Sequence, residues 1–435
     1  AAPPLHAHAA GLPSGSRNRP RRHPEHGAGG QGAAIRVPIS SAPPERRREP
    51  VYEFDYVSDP AIIADVHEAY WQLKQKAPPV FWTSAHGGHW VVTSADAAIE
   101  VLRHPDRFSS RFLSIPPNPQ QPRMIPESLD PPEHRPYRQL LRPYFESKAI
   151  EPLEPRIREW AEQLIDGVAA QGECGCGDAL GSRFPVSVFM ELFGFPLEQF
   201  DFFRATVVEY FNAQVAMERR MELTMQILGT LNALLEARRA EPQDDLVSKL
   251  IAAEFEGRQL DHEELMSICF LMFLAGLDTV VNALSFGMRH LAHDEALRTR
   301  MIEDPASIPG IVDELMRRYT FVSTPRYITQ DTEIAGTKVY EGDSVLVPLH
   351  MVGWDEKLTE CPAEVRLDRP HCRHAGFGSG VHTCLGIHLA RLEMTVFYET
   401  WARKIGHFRT SADQHLVYRG GSVQALEALH LEWNT

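Results

Sequence analysis

The chain has 435 residues, 43% of them hydrophobic, and a formal net charge of −14. This acidic balance excludes a general nucleic-acid-binding protein, which would present a basic face. A chain of this length can bury a large core, and length alone favours two or three domains. Its six cysteines are too few to form a disulfide framework, so we expect reduced thiols and a cytoplasmic location.

Residues 1–49 differ from the rest of the chain. They are rich in Pro, Gly, Arg and His, with eight arginines against three acidic residues. With so little to bury, this tail is predicted to be disordered, either as a basic arm for an anionic partner or as a segment without a function. No second linker or internal repeat follows, so residues 50–435 are predicted to form one domain, against the expectation from length. No apolar run reaches the ~18 residues that span a bilayer, and no signal-peptide stretch is present, so we expect no membrane segment.

The elements of residues 50–435 predict a mainly α fold with a minor β portion. The stretch "PVFWTSAHGGHWVVTS" (79–94) reads as two apolar strands around a Gly-Gly turn, which is typical of a hairpin. Helical apolar spacing covers 156–170, 218–239 and 385–405. Strand-like segments are 326–334 and 344–348, and a last hairpin is expected over 418–433.

A long central helix is predicted to begin at Asp261, which forms a capping box with Glu264, and to end near residue 291. Its middle, "LMFLAGLDTVVNALSF", places Asp278 and Thr279 among apolar residues. Burying an unpaired carboxylate costs several kcal/mol, on the order of the desolvation penalty of an ion. Asp278 therefore belongs either to a buried ion pair or to a reactive site. Thr279 either bonds back to the preceding helical turn or serves that site.

Cys384 stands in "FGSGVHTCLGIHLARLE" (377–393), between glycines and the start of a periodic helix. A helix N-terminus favours the thiolate. No other cysteine lies at the spacing of a zinc or iron–sulfur site, and the pair Cys174 and Cys176 offers too few ligands, so a loop is the better interpretation there. A lone thiolate suits one axial bond to a haem iron. The alternative is a buried cysteine that acts as a small hydrophobic residue.

The pattern Phe-x-x-Gly-x-His-x-Cys-x-Gly is present in full at residues 377–386. Three further motifs precede it along the chain: "DPPEHRPYR" (130–138), "LAGLDTV" (274–280) and "ELMR" (314–317). The sequence resembles the cytochrome P-450 family of haem-thiolate monooxygenases across nearly all of residues 50–435. Within the family it is similar to the bacterial camphor-hydroxylase branch, through "GLDTVVNALSF", "DELMRRY" and "QALEALHLEW".

The resemblance implies a cytochrome P-450 fold, a single large haem domain, and haem b as cofactor with Cys384 as the iron ligand. Thr279 would hydrogen-bond on the distal side and Asp278 would relay protons, with Gly276 letting the helix open locally. The positions that would hold the haem are Cys384, His134, Arg138, Arg326, His382, Phe377, Gly378, Gly386 and Ala275. For the arginines and histidines among them, the alternative is a solvated surface charge.

The resemblance also implies a monomer that receives electrons from a [2Fe–2S] ferredoxin with its flavin reductase. The ferredoxin would dock near Arg135, Arg138 and Arg142. The expected substrate is small and apolar, of terpenoid or norisoprenoid size, in a pocket lined by Met124, Leu271, Leu274, Ala275, Val322 and Val423. Two rival functions are a haem-thiolate peroxygenase and a non-enzymatic haem sensor or carrier. Neither requires the acid–alcohol pair of the central helix.

Camphor itself is disfavoured by three departures from that branch. The loop of residues 111–130 contains no tyrosine to donate to a ketone. Ser114 stands where the branch has an aromatic residue, and Thr324 stands where it has an acid near a haem propionate.

Overall fold

The computed structural model describes residues 46–175, 182–212, 214–412 and 414–435. Most of the predicted tail (residues 1–45) and Cys176 lie outside the described residues. The end of that tail contacts the folded domain. Arg48 donates from Nε and Nη2 to the carboxylate of Asp343, at 3.0 and 2.8 Å.

Helices dominate the described part of the chain, as predicted. They are α1 (Pro60–Ala64), α2 (Val66–Lys76), α3 (Ala95–Arg103), α4 (His134–Leu141), α5 (Ser147–Ile150), α6 (Glu154–Ala169), α7 (Arg183–Phe193), α8 (Phe200–Phe211), α9 (Met217–Ala240), α10 (Leu246–Ala252), α11 (His262–His293), α12 (Glu295–Glu303), α13 (Ile308–Arg318), α14 (His350–Gly353) and α15 (Ile387–Lys404). The helices predicted over 156–170, 218–239 and 385–405 are confirmed to within two residues at each end, as α6, α9 and α15.

The strands are short and form small sheets. They are β1 (Val80–Thr83), β2 (His89–Val92), β3 (Phe108–Ser109), β4 (Glu173–Gly175), β5 (Glu254–Phe255), β6 (Arg258–Gln259), β7 (Ser323–Ile328), β8 (Thr332–Ile334), β9 (Thr337–Val339), β10 (Ser344–Pro348), β11 (Arg409–Thr410), β12 (Val417–Arg419), β13 (Ala425–Ala428) and β14 (His430–Glu432). The largest sheet has the order β1-β2-β10-β7-β3, in which only the β2–β10 pair is parallel.

Two strand predictions need correction. The segment 326–334 is divided, because β7 pairs with β10 while β8 turns back onto β9. The last hairpin is shorter than predicted: β12 pairs with β13, but β14 pairs with β11 and β4 instead. Leu431 of β14 is fully buried in this three-stranded sheet, opposite Thr410 of β11 and Cys174 of β4. The hairpin of 79–94 is confirmed, with Val80 opposite Val92.

Helix α11 is the centre of the core. Asp261 and Glu264 form the predicted capping box, and the helix runs for 32 residues, about 48 Å at 1.5 Å per residue. By length and composition alone α11 could cross a bilayer, but most of its apolar window is buried inside the protein. A core helix passes the same test, so α11 gives only weak support for a membrane span.

The ion pair of Glu314 and Arg317 in α13 is buried, whereas on an isolated helix it would be an ordinary exposed pair. Arg317 donates from Nε and Nη2 to the two carboxylate oxygens of Glu314, at 2.9 and 3.0 Å, and neither side chain is more than 3% exposed. Arg317 also donates to the carbonyl oxygens of Gly353 and Pro362, and Arg369 donates to Glu314. The pair therefore joins α13 to the segment that leads into the Cys384 loop.

Candidate active site

The loop before α15 turns sharply and presents Cys384 just ahead of the helix. Gly378 and Gly380 have φ angles of 75° and 77°, a region in which side chains are disfavoured. A Cβ atom on Gly380 would also lie 2.6 Å from the carbonyl oxygen of Leu102. The Cys384 amide donates to the carbonyl oxygen of Phe377 at 2.7 Å, which closes the loop. The predicted position of the thiol at a helix N-terminus is thus present.

A backbone amide and an arginine both act on the Cys384 sulfur. Much of the residue is accessible, yet enough protein surrounds it that desolvation raises the pKa of the thiol. A hydrogen bond from the Gly386 amide and the charge of Arg138 lower that pKa. Arg138 is held in place by a hydrogen bond to the carbonyl oxygen of Thr383. Both groups favour the thiolate, the form that binds metals.

Beside this loop, three of the predicted basic residues are buried together. The rings of His134 and His382 pack edge to face, 4.5 Å apart. Within the described residues, His134 Nε2 and both ring nitrogens of His382 are buried without a hydrogen-bond partner. Arg326 is 3% exposed and donates from Nη1 to neutral acceptors, the Thr324 hydroxyl at 2.7 Å and the Pro325 carbonyl at 2.8 Å. The alternative of solvated surface charges is wrong for these three residues.

The middle of α11 combines an accessible face and a buried acid. Ala275 is exposed and Thr279 is partly exposed, although most residues around them are buried. Asp278 is 1% exposed and accepts hydrogen bonds from Arg204 Nη1 at 2.7 Å and Arg419 Nη2 at 3.2 Å. Asn282 donates to the same carboxylate at 2.9 Å. Asp278 is therefore fully paired in this state.

The expected local opening of α11 beside Gly276 is absent, since α11 is helical from end to end. A Cβ atom on Gly276 would lie 2.2 Å from the ring of Phe189 in α7. The missing side chain therefore lets α7 pack closely against α11. The Thr279 hydroxyl donates to the Ala275 carbonyl oxygen at 2.8 Å, so the predicted back-bonding alternative is also present.

Comparisons with known proteins identify the family. The cytochrome P450 family model matches residues 186–310 and 308–412. A protein of Sinorhizobium fredii named probable cytochrome P450 127A1 is 30% identical over 86% of this chain and 91% of its own length. The crystal structure of CYP101J2 is 35% identical, with a TM-score of 0.83 over 91% of this chain and 100% of that chain. That of CYP101C1 is 30% identical, with a TM-score of 0.82 over 88% and 98%.

The chain belongs to the cytochrome P450 family. The predicted bacterial camphor-hydroxylase-like branch and the predicted fold are confirmed with it. This cytochrome P450 is a haem-thiolate monooxygenase, and its cofactor is haem b.

The described residues fit that cofactor. Buried imidazole nitrogens without partners and a buried guanidinium on neutral acceptors suit the two propionate carboxylates, which accept charge-assisted hydrogen bonds. A Cβ atom on Gly386 would meet no atom within 4 Å, so the backbone after Cys384 leaves room for a flat group. Cys384, His134, Arg138, Arg326 and His382 are thus the residues that would hold haem b.

Several polar residues around the site were missed by the sequence analysis. Glu127 Oε2 lies 3.6 Å from His382 Nδ1. Although desolvation raises the pKa of Glu127, the interaction with His382 and the charges of Arg326 and His134 outweigh it and hold that pKa below its usual value. Arg204 and Arg419 were also missed. The proline-rich loop before "DPPEHR" gave no local signal for Glu127, and the two arginines reach Asp278 from distant segments.

The predicted substrate residues fall into two groups. Val322 and Val423 are partners in an isolated antiparallel β-bridge, although they lie on separate segments. Met124, Leu271 and Leu274 belong to a second apolar cluster, formed around α7 and α11. Ala275, on the accessible face of α11, is the sixth predicted residue.

The remaining cysteines offer no competing metal site. In the described part of the chain, no group of three or more His, Cys, Asp or Glu residues could hold a metal ion. Cys174 is buried, and desolvation raises the pKa of its thiol to about 12, which disfavours the thiolate. Its proposed neighbour Cys176 lies outside the described residues.

Proposed function

We propose that this cytochrome P450 hydroxylates a small apolar compound of terpenoid or norisoprenoid size. When bound, haem b supplies the activation of dioxygen and the transfer of one oxygen atom. Electrons come from a [2Fe–2S] ferredoxin with its flavin reductase, and the enzyme acts in the cytoplasm as a monomer. The five described cysteines are free, which supports a reducing compartment.

The β-bridge between Val322 and Val423 is the observation that carries the substrate class. It brings together two branched apolar residues from separate segments, and both pack against an apolar cluster that includes residues of α11. Met124, Leu271 and Leu274 add further apolar surface within the second apolar cluster. A pocket lined in this way binds mainly by apolar contact and offers no charged group to a substrate.

Camphor remains a poor candidate. The Ser114 hydroxyl, at the position expected to be aromatic, donates to the carbonyl oxygen of Pro116 at 2.9 Å. Thr324 accepts a hydrogen bond from Arg326. Ser114 thus supplies no aromatic ring and Thr324 supplies no acid, and the loop of residues 111–130 has no tyrosine for a ketone.

In the proposed reaction, Thr279 hydrogen-bonds on the distal side of the haem and Asp278 relays protons to it. Thr279 must release the Ala275 carbonyl oxygen before its hydroxyl can act elsewhere. Asp278 must likewise exchange one of its arginine partners for a proton donor. A peroxygenase needs no such relay, so the presence of this acid–alcohol pair favours the monooxygenase proposal.

The ferredoxin would dock beside the Cys384 loop. Arg135 is exposed, and Arg142 is 70% exposed in an ion pair with Glu146. Both can contribute positive charge to an encounter with an acidic partner. Arg138 differs, because it turns inward to the carbonyl oxygen of Thr383. We therefore assign Arg138 to the haem rather than to the docking surface.

A spin-state screen tests the substrate class. The ferric holoenzyme is titrated with terpenoids and norisoprenoids, for example limonene and β-ionone, and the shift of the Soret band is followed. We expect saturable shifts for compounds of this size. Val322→Phe, which fills the pocket, should weaken them, whereas Val417→Phe on the exposed end of β12 should not. Shifts produced only by large or charged compounds would contradict the proposal.

A further inference from the structure

Arg419 is shared between two carboxylates. Its Nη2 donates to Asp278 at 3.2 Å, and its Nε donates to Glu427 at 2.9 Å. Its Nη1 is buried without a hydrogen-bond partner in the part of the chain that the structure describes. The guanidinium thus has spare donor capacity beside the acid of α11.

The backbone around Arg419 is held firmly. The Gly421 amide donates to the carbonyl oxygen of Tyr56 at 2.9 Å. A Cβ atom on Gly420 would lie 2.6 Å from the carbonyl oxygen of Val57. Because β12 ends in this close contact, the position of Arg419 is set by the strand, and only its side chain can adjust between the two acids.

Burial decides how strongly these charges interact. Asp278 is 1% exposed and Arg419 is 8% exposed, whereas Glu427 is 39% exposed. Charges interact more strongly in the low dielectric of the interior than in water. Arg204, the other partner of Asp278, lines a surface cavity of about 570 Å³ with Asp201 and Glu209. One arginine partner of Asp278 thus lies at a surface cavity, and the other, Arg419, is paired with the exposed Glu427.

We propose that Glu427 is a positioning residue that regulates how tightly Arg419 holds Asp278. The proposal rests on the proton-relay role given to Asp278 under the proposed function. While Glu427 neutralises part of the Arg419 charge, the ion pair between Arg419 and Asp278 is weaker. Asp278 can then leave Arg419 and bind a proton. Without Glu427, the whole guanidinium charge falls on Asp278 and stabilises its ionised, immobile form.

Substitutions of Glu427 and of Arg419 are therefore expected to have opposite effects on the rate of proton delivery. Glu427→Gln should slow proton delivery, because Arg419 then binds Asp278 alone. Arg419→Gln should speed it, because Asp278 is then held by Arg204 alone. Glu427→Asp keeps the charge and should restore the behaviour of the parent enzyme. A purely structural ion pair would give losses of the same sign for both partners.

The experiment uses the holoenzyme with a [2Fe–2S] ferredoxin, its flavin reductase and β-ionone as probe compound. NADH-driven dioxygen uptake is measured in H2O and in D2O. The measurement counts all the oxygen consumed, both the part that enters product and the part that becomes hydrogen peroxide. We expect Glu427→Gln to lower uptake about threefold to tenfold, which lies within the range of coupling between contacting residues, and to raise the solvent isotope effect. In an Arg419→Gln background, Glu427→Gln should have no further effect.

A second measurement needs no substrate. The infrared C–O stretch of the reduced, carbon-monoxide-bound enzyme reports the charges beside α11, and Glu427→Gln should shift it only when Arg419 and Asp278 are both present. Equal losses of dioxygen uptake in Glu427→Gln and Arg419→Gln would overturn the inference. Unchanged uptake together with an unchanged C–O stretch in Glu427→Gln would also overturn it. If Asp278→Asn behaves as the parent enzyme, the relay itself is wrong. If Asp278→Asn is slow while Glu427→Gln is not, only the role of Glu427 fails.

Discussion

Thr279 and Ala275 are joined by a hydrogen bond from the threonine hydroxyl to the alanine carbonyl oxygen, 2.8 Å long, on the accessible face of α11. In this contact the Thr279 hydroxyl is bonded to the backbone of its own helix. Its removal costs the fold little, because a threonine–backbone bond of this kind does not stabilise a helix. Any large effect of changing Thr279 therefore belongs to the reaction.

Thr279→Ala should leave substrate binding unchanged and divert electrons from product to hydrogen peroxide, since no hydroxyl remains to direct protons on the distal side. The ratio of peroxide to product per NADH measures this diversion. Thr279→Ser retains the hydroxyl and is the control. Full conversion of electrons into product by Thr279→Ala would show that the assignment is wrong.

Cys384→Ser should abolish the red-shifted Soret band of the reduced, carbon-monoxide-bound enzyme, because that band reports thiolate ligation. Absorption spectra of purified protein with matched haem content provide the measurement. Cys361→Ser, which changes an exposed cysteine outside the loop, should keep the band. Persistence of the band in Cys384→Ser would exclude Cys384 as the iron ligand.

Arg326→Gln should weaken haem retention by about tenfold to a hundredfold, because a hydrogen bond to a charged group contributes about 1.5–3 kcal/mol. The rate of haem transfer to apomyoglobin gives the measurement. Arg107→Gln is the control, since Arg107 pairs with Glu100 outside the buried basic cluster. Equal haem transfer rates for the two variants would show that Arg326 does not bind the haem.

Glu314→Gln should destabilise the fold by about 3–5 kcal/mol, because it leaves the fully buried Arg317 without a compensating charge. Glu236→Gln is a matched control, since Glu236 and Arg239 form the same i,i+3 pair on the exposed part of α9. That change should cost no more than about 1 kcal/mol. Urea unfolding followed by circular dichroism compares the two variants, and similar losses would contradict the argument.

Acid should destabilise the protein through two buried histidines. His350 is fully buried, in contact with Tyr70 and Trp354, and its ring nitrogens have no hydrogen-bond partner among the described residues. Burial, with the charge of Arg318 and the repulsion that a protonated His67 would add, holds the pKa of His350 well below its usual value.

The same applies to His67, whose Nε2 lies 2.9 Å from the Thr320 carbonyl oxygen. Burial and the charge of Arg318 lower the pKa of His67 to about 3, although the Thr320 carbonyl oxygen and Asp65 oppose the shift, while Arg289 adds to it. Both rings therefore stay neutral in the folded protein at pH values where the unfolded chain binds protons.

Below about pH 6.5, stability should thus fall as the pH falls, by about 1.4 kcal/mol per pH unit for each ring. Above that pH neither histidine contributes. Between pH 7.5 and 5.0, His350→Phe should lose about 2 kcal/mol less unfolding free energy than the parent enzyme. His104→Phe, at an exposed position, should follow the parent enzyme. Identical pH profiles for all three proteins would refute the prediction.

Local patterns predicted the parts of the fold that local physics determines. The capping box of Asp261 and Glu264 located the start of α11, and two apolar segments around a Gly-Gly turn located β1 and β2. Glycines and a following periodic helix marked the Cys384 loop. Each of these patterns lies within about twenty consecutive residues, so one segment of sequence is enough to predict the local structure.

The electrostatics of the site could not be read in this way. Arg204 and Arg419 are 74 and 141 residues from Asp278, and neither stands in a motif that marks it as a partner. Arg369 reaches Glu314 from 55 residues away. Such contacts depend on where the fold places segments that are distant in sequence. The spacing of residue types along the chain does not predict that placement.

The contact of Gly276 with the ring of Phe189 limits how this enzyme can acquire new substrates. A larger residue at either position would have to push α7 away from α11, and both helices lie in the main body of the core. In the proposed pocket, changes of volume are therefore expected at Met124, Val322 and Val423, none of which lies in α7 or α11. The close packing of α7 on α11 would then keep Asp278 and Thr279 in place while these segments vary.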